Sequence, residues 1–351
     1  MEIEQDVISR DKVSEPLEST KDSCWLCCRE SILNTTTRSI VLCLILAITG
    51  CSTSILIVLS RGDDDTYSYN SATVPFVSEL LKLVVCTVIA FLQYRKDPSS
   101  ISSVRETWVK YACIGLLYAI LNNLAFFALR YIDPGSMEVL GQVKIPLTAF
   151  MFARVFAKEY SNMQITGLSL ITGGAMLSRV ELVECFWSDE DQGACKSAAI
   201  GISILAIMCC LSTFAGIANE YLLKSERNGS LFWQNVQLYT ATVVFDLVNA
   251  AIQAGQPKDF SRLFEGYTWL TWVLVANLAV VGISVSITLK YADNVVHAIA
   301  TALAMVLSMM FSVLMTDYVL NVHAVIGILF VLVGVLLYFE AIKGRQIHSI
   351  E

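Results

Sequence analysis

Apolar stretches of about 20 residues recur along most of the chain, and the charged residues are gathered in the short segments between them. An α-helix needs about 20 apolar residues to cross the roughly 30 Å of hydrocarbon in a bilayer. Only 16% of the residues are charged and 55% are hydrophobic, whereas soluble domains carry about 25% charged residues. A transmembrane β-barrel would instead alternate polar and apolar residues. The sequence therefore predicts an all-α integral membrane protein.

Ten apolar stretches predict ten transmembrane helices. They lie at about 39–60, 73–94, 109–129, 134–157, 163–180, 198–222, 231–252, 269–289, 295–317 and 321–342. The polar segment 1–37 is predicted to be a disordered tail, 38–342 the membrane domain, and 343–351 a second short tail.

The connections between the stretches alternate in charge. Every second connection is basic, with Arg95, Arg154 and Lys224 as examples, whereas acidic runs at 63–65 and 189–191 lie in the other set. Because basic connections favour the cytosolic side, both termini are predicted to be cytosolic.

The cysteines are not spaced in a pattern typical of a metal site. Cys185 and Cys195 share one predicted lumenal connection, so the sequence leaves a disulfide between them open. Palmitoylation is likewise left open at Cys24, Cys27 and Cys28, which lie just before the first stretch.

The chain also contains an internal repeat. The segment LRYID at 129–133 matches LKYAD at 289–293, and the same shift carries Gly167 onto Gly327 and Gly174 onto Gly334. The halves, about 38–180 and 198–342, would each hold five helices. Because five is odd, the second half must be inserted upside down. Two inverted five-helix repeats are typical of secondary transporters, which bind substrate between the repeats near the bilayer midplane.

Two lysines lie near the centres of predicted helices. A cation there costs about 2.5–3.5 kcal/mol, so Lys82 and Lys144 indicate ion pairing or an anion-binding cavity. Glu79 is three residues before Lys82 and Glu138 six residues before Lys144, so either acid is a candidate tuning or gating partner. Structural pairing is the alternative reading.

Amide and aromatic side chains are predicted at a similar depth. Such groups suit a nucleobase or a sugar hydroxyl, although ordinary interhelical hydrogen bonding explains them as well. The set comprises Tyr118, Asn122, Asn123, Asn235, Gln237 and Tyr239. Asp246 is a candidate proton or cation site, with structural pairing preferred, and His297 near a helix end is assigned an interfacial role.

No enzyme motif is evident. The phosphate-binding loop of ATP-driven pumps is absent, and no Ser/His/Asp constellation or histidine cluster is present. The chain is therefore predicted to be no enzyme, to need no cofactor or metal, and to have no nucleic-acid partner.

Several segments resemble the nucleotide-sugar transporter family, in particular the branch with the CMP-sialic acid, UDP-galactose and UDP-N-acetylglucosamine carriers. They are SELLK at 78–82, YAILNNLAF at 118–126, GQVKIP at 141–146, FAG at 214–216, NEYLLK at 219–224, QNVQLY at 234–239, GYT at 266–268 and LKYADN at 289–294. The resemblance implies the ten-helix drug/metabolite transporter fold. It also implies an antiporter that brings a nucleotide sugar into the Golgi or ER lumen and returns the nucleoside monophosphate.

The resemblance also implies roles for individual residues. Lys82 and Lys144 would contact phosphate, and Lys290 the phosphate or sugar. The residues around the nucleotide would be Tyr118, Asn122, Ser212, Asn235 and Tyr239.

The cargo prediction rests on a departure from the CMP-sialic acid branch. Before Lys144 that branch has tyrosines and a glutamine, where this chain has Met137, Glu138 and Gly141. A carboxylate at Glu138 would repel the sialic acid carboxylate if it pointed into the site, so a UDP-linked hexose or N-acetylhexosamine is preferred.

Alternatives remain: CMP-sialic acid as cargo, an exporter of other small molecules, a non-transporting membrane scaffold, and an accessory protein that binds a nucleotide sugar without moving it. A Golgi membrane is the expected location, with the ER membrane as the alternative. The expected partners are the nucleotide sugar, the nucleoside monophosphate and membrane lipid. A homodimer is left open.

Overall fold

The computed structural model describes residues 17–60, 73–98, 105–128, 131–132, 137, 139–178, 192–225, 229–253, 264, 266–315 and 321–348. Side chains are described from residue 36 onward, apart from some within these ranges. Glu138 and Cys185 lie outside the described residues, as do the side chains of Cys24, Cys27, Cys28, Asn122 and Cys195. The predictions for these residues are therefore not addressed by the fold.

Ten α-helices make up the described chain, and the regular elements within the described residues are all helical. They are α1 (Leu17–Leu59), α2 (Thr73–Lys96), α3 (Arg105–Ala128), α4 (Lys144–Phe156), α5 (Asn162–Leu177), α6 (Gln192–Ser225), α7 (Leu231–Gln253), α8 (Trp269–Tyr291), α9 (Asn294–Met315) and α10 (Val322–His348). A 3₁₀ turn, Gly141–Val143, leads into α4. The predicted all-α class is confirmed.

Six of these helices, namely α1, α2, α6, α8, α9 and α10, are long and apolar enough to cross a membrane. Helices α4 and α5 have only 13 and 16 residues, fewer than the about 20 that a straight crossing needs. In α7 the apolar run is interrupted by the buried amides Gln234, Asn235 and Gln237. Ten membrane crossings therefore remain a prediction.

Helix α2 has the pattern of a membrane-embedded helix, with its polar side chains turned inward. One face is buried and contains a lysine, whereas the opposite face exposes large apolar side chains. In a bilayer that outer face contacts lipid, so the hydrophobic effect imposes no cost on it. The buried residues include Ser78, Lys82, Cys86 and Ala90, and the exposed ones include Val84, Val88 and Phe91.

Helices α5 and α10 pack against each other through four glycines. A Cβ atom at Gly167 would lie 2.8 Å from the Gly334 carbonyl oxygen, and one at Gly174 would lie 2.6 Å from the Gly327 carbonyl oxygen. Since 167 pairs with 334 and 174 with 327, the helices run antiparallel. The glycines let the two backbones approach to contact distance.

The main helix contacts follow the symmetry of the internal repeat: replacing each helix by its counterpart in the other half gives the same set of packing pairs. Helix α1 packs on α8 and α9, and α6, which corresponds to α1 at a shift of 160, packs on α3 and α4. Likewise α2 packs on α8, and α7 packs on α3. Two further pairs, α2 with α7 and α5 with α10, join helices that correspond to each other.

Helix boundaries differ from the predicted ones at two places. Helix α1 begins at Leu17 within the predicted tail, because residues 17–38 contain no glycine or proline that would end it. The stretch predicted as one helix from about 134 is interrupted by the 3₁₀ turn: Met137, Val139 and Leu140 before it are helical, and α4 begins after it at Lys144. Pro146 therefore lies in a first helical turn, where its missing N–H costs little.

Candidate functional site

A cavity of about 180 Å³ lies between helices from both halves of the chain. Its lining combines two lysines with hydroxyl, amide and apolar groups, which gives it the character of an anion-binding site. Six of the ten predicted site residues line it: Glu79, Lys82, Tyr118, Lys144, Ser212 and Tyr239.

Lys82 is held on one side of the cavity by an acid on its own helix. Its Nζ lies 2.5 Å from Glu79 Oε1, and Thr242 Oγ1 of α7 donates to Glu79 Oε2 at 3.2 Å. The two side chains are 9% and 15% exposed. Each carboxylate oxygen therefore accepts from a different donor, and the charge of Glu79 compensates the lysine.

The Tyr239 ring and Gly282 enclose the Lys82 ammonium from the second half. The ammonium lies 4.9 Å from the ring centroid, a cation–π distance. Tyr239 OH donates to the Gly282 carbonyl oxygen at 3.3 Å and lies 3.2 Å from Ser286 Oγ. A Cβ atom at Gly282 would lie 2.6 Å from Lys82 Cδ, so the lysine can occupy this position only because residue 282 has no side chain.

Lys144 lies where the 3₁₀ turn passes into α4. Among the described residues no carboxylate lies within ion-pair distance of its ammonium. His297 also lines the cavity and interacts electrostatically with Lys144. A short 3₁₀ turn inside a helical segment is a frequent mark of a functional hinge.

Two predicted residues, Asn235 and Lys290, are not among the described residues that line the cavity. Asn235 is fully buried in α7, and neither of its amide atoms has a hydrogen-bond partner in the described part of the chain. The Lys290 ammonium donates to the Gly229 carbonyl oxygen at 2.7 Å and to Gln234 Oε1 at 2.9 Å. Lys290 thus connects the end of α8 to the start of α7.

The lining also contains residues that were not predicted as site residues, among them the polar side chains of Asn219, Asn294 and His297. The Asn219 Oδ1 and Asn294 Nδ2 atoms are buried without a hydrogen-bond partner in the described residues. Gly216 makes room for Asn294, because a Cβ there would lie 2.7 Å from Asn294 Nδ2. The interfacial role assigned to His297 is wrong, because the first turn of α9 faces the cavity.

The sequence contained one signal for Asn219 and Asn294. Both lie in segments that carry the family resemblance, 219–224 and 289–294. Their amides have unused hydrogen-bonding capacity beside a cavity, which is costly unless a ligand or water satisfies it.

Comparison with known proteins places the chain among transporters. The family model described as "Nucleotide-sugar transporter" matches residues 34–339. CMP-sialic acid transporter 1 of Oryza sativa subsp. japonica is 34% identical over 308 residues, which cover 85% of this chain and 93% of that protein.

Two further relatives are named for other sugars. UDP-galactose translocator 1 of Caenorhabditis elegans is 27% identical, covering 77% of this chain and 78% of that protein. The human UDP-N-acetylglucosamine transporter is 28% identical, covering 77% of this chain and 85% of that protein.

A solved crystal structure of another protein shares the fold. It has a TM-score of 0.62 at 14% identity, and the match covers 86% of this chain and 97% of that chain. Together with the six membrane-crossing helices, the family match identifies a multi-pass membrane protein and a transporter rather than an enzyme. The chain belongs to the nucleotide-sugar transporter family.

Proposed function

We propose that this protein is an antiporter that imports a nucleotide sugar into the Golgi lumen and returns the nucleoside monophosphate. The observation that carries the proposal is the cavity with Lys82 on one side and Lys144, which has no carboxylate partner among the described side chains, also in its lining. Two cations in one membrane cavity suit a phosphate or diphosphate group. Both lysines are therefore assigned to the phosphates.

The polar groups around the lysines are assigned to the rest of the substrate. Tyr118, Ser212 and Tyr239 line the same cavity and supply hydroxyl groups and aromatic faces. The unpartnered amide atoms of Asn219 and Asn294 add the donor and acceptor capacity that a base or ribose requires. Roles for Asn122, Asn235, Lys290 and Glu138 stay predictions.

The cavity volume favours a closed state of the transporter. Pockets for drug-sized ligands commonly measure about 300–1,000 Å³, whereas this cavity measures about 180 Å³. A nucleotide sugar therefore requires the surrounding helices to separate. The exchange symmetry of the helix contacts supports two inverted five-helix repeats, and rocking of the repeats around the central site is the proposed movement.

Obligatory exchange follows from the charge of the empty site. Among the described side chains no carboxylate compensates Lys144; moving such a charge through a low-dielectric state is costly, and a bound phosphate removes that cost. Glu79 already compensates Lys82. The empty protein would reorient slowly for this reason, and the loaded protein quickly.

A UDP-linked hexose or N-acetylhexosamine is the proposed cargo, and CMP-sialic acid is the alternative. Relatives named for each of these cargo classes match this chain. The proposed membrane arrangement has ten crossings with both termini in the cytosol. A homodimer stays open.

The test is counterflow into liposomes that contain the purified full-length chain and an internal load of UMP or CMP. Uptake of labelled UDP-, CMP- and GDP-sugars is measured with and without the internal nucleotide. We expect uptake of one sugar class that depends on the load and is lost in Lys144→Ala. The matched control is Lys110→Ala, which removes a lysine with an exposed side chain.

Other outcomes separate the alternatives. Binding without flux would indicate the accessory protein, and neither binding nor flux for any nucleotide would indicate another cargo on the same fold. Equal uptake with and without internal nucleotide would contradict obligatory exchange.

A further inference from the structure

A second buried carboxylate lies beside the Lys82–Glu79 pair. Asp246 is on α7, four residues after Thr242, so both side chains lie on the same face of that helix. Thr242 reaches Glu79 on α2, and Asp246 interacts electrostatically with both Glu79 and Lys82. The cluster therefore holds two carboxylates and one ammonium group.

Asp246 is not satisfied by its surroundings. The residue is 6% exposed, and its Oδ2 atom has no hydrogen-bond partner in the part of the chain that is described. Leaving a buried carboxylate oxygen unpaired is costly unless the group is neutralised. An unsatisfied acid inside a membrane domain is by default a functional-site hypothesis.

The other titratable groups facing this cluster are few. Helix α2 contributes Cys86 besides the acid and lysine, α3 contributes Tyr118, and α7 contributes Tyr239. From α8, the groups near Lys82 are the uncharged Gly282 and Ser286. Lys144 lines the same cavity as Glu79, but within the described side chains Lys82 is the cation that interacts with both acids.

We propose that substrate binding is linked to proton uptake by the Glu79–Asp246 pair. In the proposed transport function, on which this inference rests, substrate phosphate takes Lys82 as its partner and releases Glu79. Two carboxylates then share one low-dielectric site without a cation, which is unfavourable unless one of them is protonated. The proton comes from bulk solution and forms an O–H bond on one carboxylate; no other bond changes.

The linkage has a consequence for exchange. Both the nucleotide sugar and the monophosphate present phosphate to Lys82, so each would be carried together with one proton. Exchange of one for the other then moves no net protons. Because binding takes up a proton, nucleotide affinity then falls as pH rises, by at most about tenfold per pH unit for one proton.

Calorimetry tests the proposal directly. Binding of UMP, CMP and UDP-galactose to the purified full-length chain is measured at one pH in two buffers of different ionisation enthalpy. UDP-galactose controls for ligand protonation, because its diphosphate is a diester without an oxygen that titrates near neutrality. We expect uptake of up to one proton per bound nucleotide.

Three variants decide the outcome. Asp246→Asn and Glu79→Gln should each abolish the buffer dependence of the binding enthalpy while nucleotide still binds. Glu106→Gln, which changes an exposed acid, should retain it. Binding without buffer dependence in the unmodified protein, or unchanged dependence in both cluster variants, would overturn this inference and leave the proposed function standing. Absence of nucleotide binding would instead overturn the proposed function.

Discussion

At the scale of single residues, Gly282 controls the position of Lys82. A Cβ atom there would lie 2.6 Å from Lys82 Cδ and 2.8 Å from its Nζ. Because these atoms are the flexible end of a side chain, Gly282→Ala should displace the ammonium from Glu79 and Tyr239 without unfolding the protein. We expect nucleotide affinity to fall about tenfold, which corresponds to about 1.4 kcal/mol, as measured by isothermal titration.

The control for this substitution is Gly173→Ala, another glycine within a helix. A Cβ at Gly173 meets no atom within 4 Å, so its nucleotide affinity should match that of the unmodified protein. Equal affinities for the Gly282 and Gly173 variants would show that the site tolerates a displaced Lys82.

The site residues that sequence reasoning could find are those in energetically unusual positions. Lys82 and Lys144 stand out because a cation in the middle of an apolar stretch needs compensation. Asn294 and His297 gave no such signal, because polar residues near a helix end are ordinary. Their position beside the cavity depends on how α9 packs against α4 and α6, which no local pattern encodes.

At the scale of helices, the α5–α10 interface should be intolerant of larger residues. A Cβ at Gly174 would lie 2.6 Å from the Gly327 carbonyl oxygen, and a backbone atom cannot move aside as a side chain can. Gly174→Leu should therefore destabilise the protein by about 1–3 kcal/mol, the usual cost of overpacking. The measurement is the thermal unfolding midpoint of the purified protein in detergent.

Gly173→Leu is a closely matched control, because it makes the same change at the adjacent residue, where open space is available. We expect its unfolding midpoint to stay near that of the unmodified protein. If both leucine variants unfold at the same temperature, close packing of these glycines does not stabilise the fold.

The spacing of the glycines in the sequence indicates that each pair lies on one face of its helix, but it does not indicate that the glycine faces of α5 and α10 contact each other. Seven-residue spacing places Gly167 and Gly174 on one side of α5, and Gly327 and Gly334 on one side of α10. Which helix each face contacts depends on the arrangement of the whole bundle. Apolar length likewise located most helices, whereas it did not show the 3₁₀ turn before α4, because residues on both sides of that turn are similarly apolar.

At the scale of the whole molecule, contacts between the two halves close one end of the bundle. Lys158, after α4, forms an ion pair with Asp293, before α9, at 3.0 Å. Arg38 on α1 donates to the Tyr291 carbonyl oxygen at 3.1 Å. Both contacts join the first half to the second. Because α1 packs along α8 and α9, the Arg38 contact can persist on opening, whereas the Lys158–Asp293 pair must separate if α4 moves away from α9.

The segment that receives these contacts is fixed within the second half. Lys224 on α6 donates to Glu220 Oε1 and to the Ala292 carbonyl oxygen, each at 2.5 Å. The buried Glu220 also accepts from the Asn294 backbone N–H at 2.8 Å. The connection between α8 and α9 therefore moves with α6, which leaves the pair of Lys158 and Asp293 as a contact that separates on opening.

Neutralising that ion pair should favour opening at its own end. Asp293→Asn retains a side-chain oxygen for the Val296 N–H, which Asp293 Oδ1 accepts at 2.9 Å, so it removes the charge but not the helix cap. The pair is partly exposed, with side chains 32% and 13% accessible, and such pairs contribute about 0.2–1 kcal/mol. We expect Asp293→Asn and Lys158→Gln each to accelerate labelling of the cavity by up to about fivefold.

Labelling is measured on a cysteine introduced at Ser212, which lines the cavity, in sealed vesicles exposed on one side to a membrane-impermeant thiol reagent. Peptide mass spectrometry separates this cysteine from the native ones. Because both substitutions remove the same interaction, the double variant should label no faster than either single variant. Additive acceleration would mean that the two residues act independently, and unchanged labelling would mean that Arg38 and the surrounding apolar packing are sufficient to keep this end closed.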